Sequence, residues 1–410
     1  MPHVQDVFTP CSPSITRTSV WAPRAINEEL FARALNTHGR QICVLGETGV
    51  GKTSLVLRLL RQLDRSYIVV SCDRSFSAKD IFEKTLDNLK ILKIKSKQSS
   101  TELDGELKTS FWTFISTRMR SALKDQVEQT PWSEKVSKEN VIDGLLSTGM
   151  TLVIDDMEKM HCPTSKGLLA DCAKALSDRA NVNPEARIIF VGIAKNASEI
   201  LDLDASIKSR LSLQRIPVID SKAVQQFLFE EGFRRLGLRC GANYVFALSN
   251  YCFGLPKIAH MLGFHIATRA KNNNEEMVSS ESLRDGIIDA IQEMTPEFEP
   301  DLLHAIRSNS KSKKYCKHIL EIIAENTSEE VDNRYIAKKL SERLHTTIVP
   351  ADFSSWVSFL KKPERRNILQ NGEARGTHKF TSRLMKSYVY LKSMGVLQGL
   401  STSDGRNNRS

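Results

Sequence analysis

One glycine-rich segment constrains the fold of this chain more than any other part of it. It consists of Gly46, Glu47, Thr48, Gly49, Val50, Gly51, Lys52, Thr53 and Ser54. The apolar run 41–45 before it is typical of a buried strand, and apolar residues at helical spacing follow it through residue 63. A strand, a glycine-rich loop and a helix are the setting in which backbone N–H groups surround a triphosphate. The segment therefore predicts a nucleoside triphosphate site, in which Lys52 reaches the β- and γ-phosphates and Thr53 ligates Mg²⁺.

The length and composition are those of an ordinary globular protein. The chain has 410 residues, enough for two or three domains, and 40% of them are hydrophobic. No run approaches the roughly 18 apolar residues that span a bilayer, and no signal peptide is evident, so we expect a cytoplasmic protein (or a nuclear one) without a membrane partner. The eight cysteines are scattered, which predicts reduced thiols and no zinc site.

The positive charge is concentrated near the C-terminus. The formal net charge is +10, and residues 301–410 alone contain 20 Lys and Arg against 11 Asp and Glu. A basic module appended to a nearly neutral one predicts a polyanionic partner, with nucleic acid as the first candidate. A lysine-rich solvated surface that keeps the protein soluble is the alternative.

Short apolar runs alternate with helical patterns over the first half of the chain. They predict strands at 67–70, 150–154, 187–191 and 213–218 besides the one before the loop. Such alternation predicts an α/β fold, a parallel sheet with helices on both faces. The polar stretch 95–145 is predicted to be a helical insertion with flexible flanks. Residues 1–25 contain four prolines and are predicted to be an extended arm.

Two adjacent carboxylates, Asp155 and Asp156, follow the predicted strand 150–154. In a parallel sheet, a carboxylate at this end of a neighbouring strand lies across the crevice from the phosphate loop. Asp155 is thereby placed to hold the hydration shell of Mg²⁺, and Asp156 to polarise an attacking water. A solvated acidic loop end is the alternative.

The phosphate loop, the Asp-Asp strand, a further strand with a polar end and Ser209-Arg210-Leu211 together resemble an AAA+ ATPase. The segment from Val191 to Arg210 is most similar to the transposon target-selection ATPases and to the origin-recognition and replication-initiator ATPases. The resemblance covers roughly residues 25–270. The predicted domains are an arm (1–25), a P-loop AAA+ core (26–219), a helical lid (220–300), a basic winged-helix domain (311–400) and a disordered tail (401–410).

The resemblance also implies roles for single residues. Asn196, or Lys195 after a one-residue shift, would be the first sensor, which hydrogen-bonds the γ-phosphate or the attacking water; a polar strand end without a ligand is the alternative. Arg210 would be the arginine finger, inserted into the nucleotide site of a neighbouring protomer, and a surface arginine is the alternative. Lys257 in Gly254-Leu-Pro-Lys257 would replace the usual arginine of the second sensor, unless it is a surface lysine of the lid.

One position departs from the family pattern in a way that affects hydrolysis. Asp156 stands where many AAA+ proteins have glutamate, and its side chain is shorter by one methylene. Glu158 would supplement it. We therefore expect slow hydrolysis or a nucleotide-bound switch.

The C-terminal pattern resembles a winged helix, after a lid predicted to end near 297–300 and a linker at 308–314. Helices are predicted at 315–324, 335–344 and 351–360, followed by a glycine-tipped hairpin at 366–380. In such modules the third helix enters the major groove, while basic residues around it contact phosphates. The basic residues are Lys361, Lys362, Arg365, Arg366, Arg375 and Lys379. A winged helix that binds protein is the alternative.

These features predict an AAA+ ATPase that binds ATP and Mg²⁺ between protomers of an ATP-dependent homo-oligomer. Assembly would be coupled to double-stranded DNA, to load, select or regulate another protein factor, as in transposition or replication initiation. A signalling or antiviral-defence ATPase, whose C-terminal module binds a partner protein, is the alternative. A small-molecule kinase is a third hypothesis, which would need neither an arginine from another subunit nor a basic tail.

Overall fold

The computed structural model describes residues 1–13, 16–89, 136–193, 205–307 and 310–393. The chain divides into two compact units. The sheet unit contains Arg24–Glu47 and Lys52–Pro217. The helical unit contains Met1–Pro23, Thr48–Gly51 and Val218–Ser410.

Five parallel strands form the sheet unit's central sheet, in the order β2-β3-β4-β1-β5. The strands are β1 (Gln41–Leu45), β2 (Tyr67–Ser71), β3 (Thr151–Asp155), β4 (Arg187–Gly192) and β5 (Leu211–Arg215). Every residue of β1, β3 and β4 is buried, as expected for strands covered on both faces. The prediction of a parallel α/β fold is confirmed.

Helices make up most of the remaining structure. In the sheet unit they are α2 (Ala25–Leu35), α3 (Lys52–Gln62), α4 (Ala78–Asn88), α5 (Lys138–Thr148), α6 (Pro163–Asp178) and α7 (Ala205–Lys208). In the helical unit they are α1 (Val4–Val7), α8 (Ser221–Ala223), α9 (Glu231–Arg235), α10 (Ala242–Tyr251), α11 (Pro256–Asn272), α12 (Ser280–Ile306), α13 (Ser310–Glu325), α14 (Asn333–Leu344), α15 (Pro350–Leu360) and α16 (Arg383–Ser393). A π-helical segment, Val224–Glu230, connects α8 to α9.

The end of the predicted insertion belongs to the hydrophobic core. Residues 95–135 of the predicted insertion lie outside the described residues. Helix α5, in contrast, buries Val141, Ile142, Leu145 and Leu146 in the core cluster that also contains the inward residues of β1 and β3. Residues 138–145 are therefore not a flexible flank, because their apolar residues recur at helical spacing and bury one face.

The lid does not end where its prolines suggest. Helix α12 continues through Pro296 and Pro300 to Ile306, and α13 already begins at Ser310. Both the predicted lid end near 297–300 and the predicted linker at 308–314 are therefore wrong. The two prolines are exposed, where water can satisfy the carbonyl groups that they leave free, and the buried Phe298 and Ile306 hold the helix in place.

The N-terminal segment packs onto the helical unit instead of extending away from it. It contains the short helix α1, and Val7, Phe8 and Val20 are fully buried. The N–H of Val20 donates to the carbonyl of Val7 at 3.0 Å. The prediction of an extended arm missed these few apolar residues among the prolines.

The last part of the helical unit combines helices with a small antiparallel sheet. Its order is α13, β6 (Val331–Asp332), α14, α15, β7 (Leu369–Asn371), β8 (Thr377–Phe380) and α16. The sheet order is β6-β8-β7. Asp332 caps α14 by accepting the N–H of Tyr335 at 2.8 Å, as its position in the sequence indicates. Among the described residues, no helix combines the length and apolar character needed to cross a membrane.

Candidate nucleotide site

The phosphate loop leaves the carboxyl end of β1 and enters α3 at Lys52. Gly49 and Gly51 both have φ of +86°, a conformation that glycine adopts without steric penalty. The N–H of Gly46 donates to the carbonyl of Gly192 at the end of β4 (3.3 Å), which ties the start of the loop to the sheet. The ammonium group of Lys52 donates to the carbonyls of Gly46 and Glu47, each at 3.1 Å. Lys52 thus lies over the loop that it is expected to serve.

Thr53 and Asp155 meet in front of the sheet edge. Strand β4 separates β1 from β3, and the three strands end on the same edge because they are parallel. The Thr53 hydroxyl donates to Asp155 Oδ2 at 2.8 Å, and the N–H of Asp156 donates to Asp155 Oδ1 at 2.9 Å. A hydroxyl and a carboxylate are hard oxygen donors of the kind that Mg²⁺ accepts beside substrate phosphates. The residues present fit this ion.

Burial shifts both charged groups at the centre of the site. It lowers the pKa of Lys52, while the carboxylates of Glu158, Asp155, Asp156 and Glu47 act against the shift, in that order. It raises the pKa of Asp155, which is only 8% exposed, against the hydrogen bond from Thr53. A partly desolvated cation and carboxylate at one sheet edge give fixed charges for a metal-bound polyphosphate.

Asp156 has a different side-chain partner. Its φ is +55°, a left-handed conformation that aspartate tolerates better than most residues, and it precedes a single 3₁₀ turn at Met157–Lys159. Its carboxylate lies 2.7 Å from the ammonium of Lys159, which raises the pKa of that lysine. The carboxylate predicted to polarise water is therefore engaged in an exposed ion pair.

The carboxylate of Glu158, unlike that of Asp156, lies beside the end of β4. Its Oε2 atom is buried and has no hydrogen-bond partner in the described part of the chain. That atom would be 3.4 Å from a Cβ built on Gly192, the residue paired with Leu45 directly before the loop. Of the carboxylates around Lys52, Glu158 does most to raise the pKa of Lys52 against the effect of burial.

The phosphate loop, Asp155 and Asp156 lie within a segment that matches a known protein family model. Residues 35–201 match a family model described as an AAA domain. No curated protein matches the chain.

Several solved structures resemble the whole chain at low sequence identity. A Walker-type ATPase of Pyrococcus abyssi is 16% identical, with 92% of this chain and 98% of that chain covered and a TM-score of 0.50. The Orc1 protein of Aeropyrum pernix, solved in complex with DNA, is 14% identical over 96% and 97%, with a TM-score of 0.47. Cdc6p of Pyrobaculum aerophilum is 12% identical over 96% and 98%, with a TM-score of 0.45. At these identities the likeness concerns the fold alone.

Arg210 lies at the opposite edge of the central parallel sheet from the phosphate loop. It precedes β5, and its carbonyl accepts the N–H of Gln41, the first residue of β1, at 2.9 Å. Its guanidinium donates to Asp178 Oδ1 through Nε (3.1 Å) and Nη2 (2.6 Å), and its side chain is 30% exposed. The pairing with Asp178, at the end of α6, could not be read from a separation of 32 residues.

Of the residues predicted to be sensors, only Lys257 lies among the described residues. Asn196 and Lys195 lie outside the described residues. Lys257 is in the helical unit, which also contains Thr48–Gly51 of the loop, and its N–H donates to the carbonyl of Gly49 at 3.2 Å. Its ammonium is 3.7 Å from the Glu297 carboxylate.

Most of the basic residues predicted to contact DNA have partners within the helical unit. Lys379 lies 3.4 Å from Glu329 and 3.3 Å from Glu330, and Arg366 is 3.2 Å from Asp301. Arg365 donates to the carbonyls of His304 and Arg307 and stacks on Phe359, and Lys361 donates to Asn371 at 2.5 Å. The side chains of Lys362 and Arg375 are exposed and form no hydrogen bond or ion pair with any residue that the structure describes.

Two further exposed cations were not singled out from the sequence. Arg334 and Lys338 lie four residues apart on α14, and neither forms an ion pair or hydrogen bond among the described residues. Asn333, at the start of α14, donates its N–H to the carbonyl of Gly376 (3.2 Å) and contacts His378 (2.9 Å) in the β7–β8 hairpin. This fixes the first turn of α14 beside the hairpin tip that carries Arg375. We call Arg334, Lys338 and Arg375 the hairpin cluster.

Proposed function

We propose that this protein is an ATPase whose nucleotide site is completed by a second copy of the chain, and that its C-terminal module couples assembly to DNA. The position of Arg210 carries the proposal. Arg210 is beside the first residue of β1, whereas the phosphate loop follows the last, four residues further along. At about 3.3 Å per residue this places them roughly 13 Å apart along the strand, on opposite edges of one sheet. This separation supports the proposal that Arg210 serves the nucleotide of another copy, because the loop of its own copy follows the other end of β1.

The partner of Arg210 suits such a role. Asp178 orients the guanidinium at the surface while leaving it partly exposed. The exchange of one carboxylate for phosphate oxygens preserves a charge-assisted, fork-like contact, which a lysine could not reproduce. In other nucleotide hydrolases, a finger of this kind contributes on the order of 10³–10⁵ in rate.

Complementation between two inactive variants tests the proposal. Lys52→Ala removes the phosphate contact but keeps the finger, and Arg210→Ala does the reverse. Each alone should lose ATP turnover, and mixing them should restore a measurable part of it, because a mixed interface pairs an intact site with an intact finger. Arg179→Ala is the matched control, since Arg179 forms a similar exposed pair with Asp143 (2.7 Å) next to α6. Turnover by Arg210→Ala equal to that of the control would contradict the role.

Light scattering with and without ATP tests assembly itself. The parent chain should increase in mass with ATP, and more so in the presence of duplex DNA. Mass that is independent of nucleotide would argue against the proposed interface.

We further propose that residues 310–393 form a winged-helix module that contacts DNA phosphates through the hairpin cluster. The order of its helices and strands supports this proposal. Helix α15, the third helix, contains no lysine or arginine, and it exposes Asp352, Ser354, Ser355 and Ser358. Base readout by basic side chains of α15 is therefore not expected. The exposed cations beside the hairpin suit contacts that position the protein without selecting a sequence.

A salt series on duplex DNA tests this surface. Each phosphate contact adds about 0.9 to the slope of log K against log salt, so neutralising three cations should reduce the slope by up to about 2.7. The variant is Arg334→Ala with Lys338→Ala and Arg375→Ala in the full chain. Arg366→Ala with Lys379→Ala, which removes cations already paired with carboxylates, is the control and should change the slope less.

One observation favours a second candidate function, in which the module binds a protein partner. The exposed face of α15 is almost uncharged, and Trp356 is half-buried on it. DNA retention that does not depend on salt would favour this signalling role over the DNA-bound one.

A further inference from the structure

We propose that Glu158, and not Asp156, is the carboxylate that polarises the attacking water. This inference rests on the proposed ATP hydrolysis and deepens it. The two residues are two positions apart, at the 3₁₀ turn Met157–Lys159, and their carboxylates have different neighbours: Lys159 for Asp156, and Gly192 for Glu158.

Asp156 is used elsewhere. Its carboxylate is 2.7 Å from Lys159 and 40% exposed. Its backbone N–H supports Asp155, which in turn accepts the hydroxyl of Thr53. Its backbone has a left-handed φ of +55° directly before the 3₁₀ turn. Asp156 therefore shapes the backbone behind the Thr53–Asp155 pair, and its side chain is neutralised by Lys159.

Glu158 has the opposite properties. A buried carboxylate oxygen without a hydrogen bond is costly, and such a group in a native fold requires an explanation. Oε2 of Glu158 is such an atom in the described part of the chain. A bound water that donates to Oε2 would satisfy it, and orienting a water is the task that the site requires.

The surroundings of Glu158 place that water near the phosphate loop. Gly192 ends β4 between β1 and β3, and it presents no side chain to the Glu158 carboxylate. Its carbonyl accepts the N–H of Gly46, the first loop residue, at 3.3 Å. Among the carboxylates that oppose the lowering of the Lys52 pKa by burial, Glu158 has the largest effect. The buried Oε2 atom thus lies beside the end of β4, to which the first residue of the phosphate loop is hydrogen-bonded.

The step balances with the groups named. The water oxygen forms a bond to the γ-phosphorus while the bond from that phosphorus to the β,γ-bridging oxygen breaks, and its electron pair leaves with ADP. The Glu158 carboxylate accepts the proton of the water and later returns it to inorganic phosphate or solvent. No oxidant or further reactant is needed.

The two isosteric variants Glu158→Gln and Asp156→Asn separate the roles. Glu158→Gln should reduce kcat for ATP by about 10²–10⁴-fold, the contribution typical of a general base. It should bind ATP at least as tightly as the parent, because it removes a negative charge near the triphosphate, and the bound nucleotide should remain ATP when extracted after incubation. Asp156→Asn should lose much less activity and release ADP.

Several results would overturn the assignment of Glu158 as the carboxylate that polarises the water. A larger loss in Asp156→Asn than in Glu158→Gln, or equal losses in both, would overturn the assignment while leaving the ATPase function intact. Loss of ATP binding or of folded protein in Glu158→Gln would show a structural role and also overturn it. Glu158→Asp keeps the charge but shortens the reach, so it should be slow as well; full activity would count against the geometry. Absence of hydrolysis by the parent chain would instead refute the proposed function itself.

Discussion

The packing of Phe8 leads to a quantitative prediction about how the N-terminal segment is held. Its ring is fully buried and contacts two helices where each has a glycine. A Cβ built on Gly263 would come within 2.2 Å of the ring, and one on Gly232 within 2.3 Å. The ring also lies edge-on to Phe233 with centroids 5.7 Å apart. The two glycines thus form a socket for the Phe8 ring, because a side chain at either position would overlap the ring.

The magnitudes follow from this geometry. Phe8→Ala should lower the free energy of unfolding by about 3–5 kcal/mol, as for other buried aromatic rings. Gly263→Ala should gain about 1 kcal/mol of helix propensity but lose more through the clash, for a net loss of about 1–3 kcal/mol. In the double variant the added methyl group enters space that the ring has left. Its loss should therefore be smaller than the sum of the single losses by at least about 1 kcal/mol.

Urea denaturation of the full-length variants, followed by far-UV circular dichroism, measures these differences. Gly167→Ala is the control, because Gly167 also lies inside a helix, α6, but has no atom within 4 Å of the added Cβ. It should stabilise the protein by roughly 0.5–1 kcal/mol. If Gly263→Ala were stabilising to the same extent, or if the double variant equalled the sum of the single ones, Phe8 would not occupy the socket.

Two further predictions concern the helical unit. Burial lowers the pKa of His260 to about 4, below the 6.5 of a histidine in the unfolded chain. Between these two values the unfolded state binds a proton that the folded state does not. This histidine should therefore lower the free energy of unfolding by about 1.4 kcal/mol per pH unit as the pH drops from 6.5 to 4. His378 has a similar pKa and adds a second contribution, so His260→Asn, which can still accept the N–H of Thr9, should remove only half of the slope measured in a pH series of urea titrations. Gly254→Ala should destabilise by at least about 1–2 kcal/mol, since Gly254 has φ of +74° and an added Cβ would lie 2.3 Å from the Ile219 carbonyl oxygen; a melting temperature equal to that of the parent would argue against this.

Features defined by neighbouring residues in the chain could be predicted directly. The strand before the phosphate loop coincides with β1, and Asp332, directly before α14, caps that helix. Helix α15 begins at Pro350, where proline is favoured at the first helical position. Periodicity, capping and the fixed φ of proline act over a few residues, so the sequence contains them in full.

Errors arose where packing outweighed local preference. The lid is predicted to end near 297–300, yet α12 continues to Ile306, because Phe298 and Ile306 are buried and Pro296 and Pro300 are exposed. Residues 138–145 looked like polar insertion, yet one face of α5 is buried in the core. A few apolar side chains at the right spacing gain more by burial than local propensity loses.

The sequence by itself thus determined the phosphate loop, the parallel sheet and the strand end that carries Asp155, since each follows from short-range patterns. Only the tertiary structure decided which charges pair. It directs Asp156 to Lys159, leaves an oxygen of Glu158 buried without a described partner, joins Arg210 to Asp178 and occupies most of the predicted DNA-binding cations with carboxylates and carbonyl groups. Electrostatic partners are selected by distance and burial in space, and separations of three or of 32 residues along the chain do not encode either quantity.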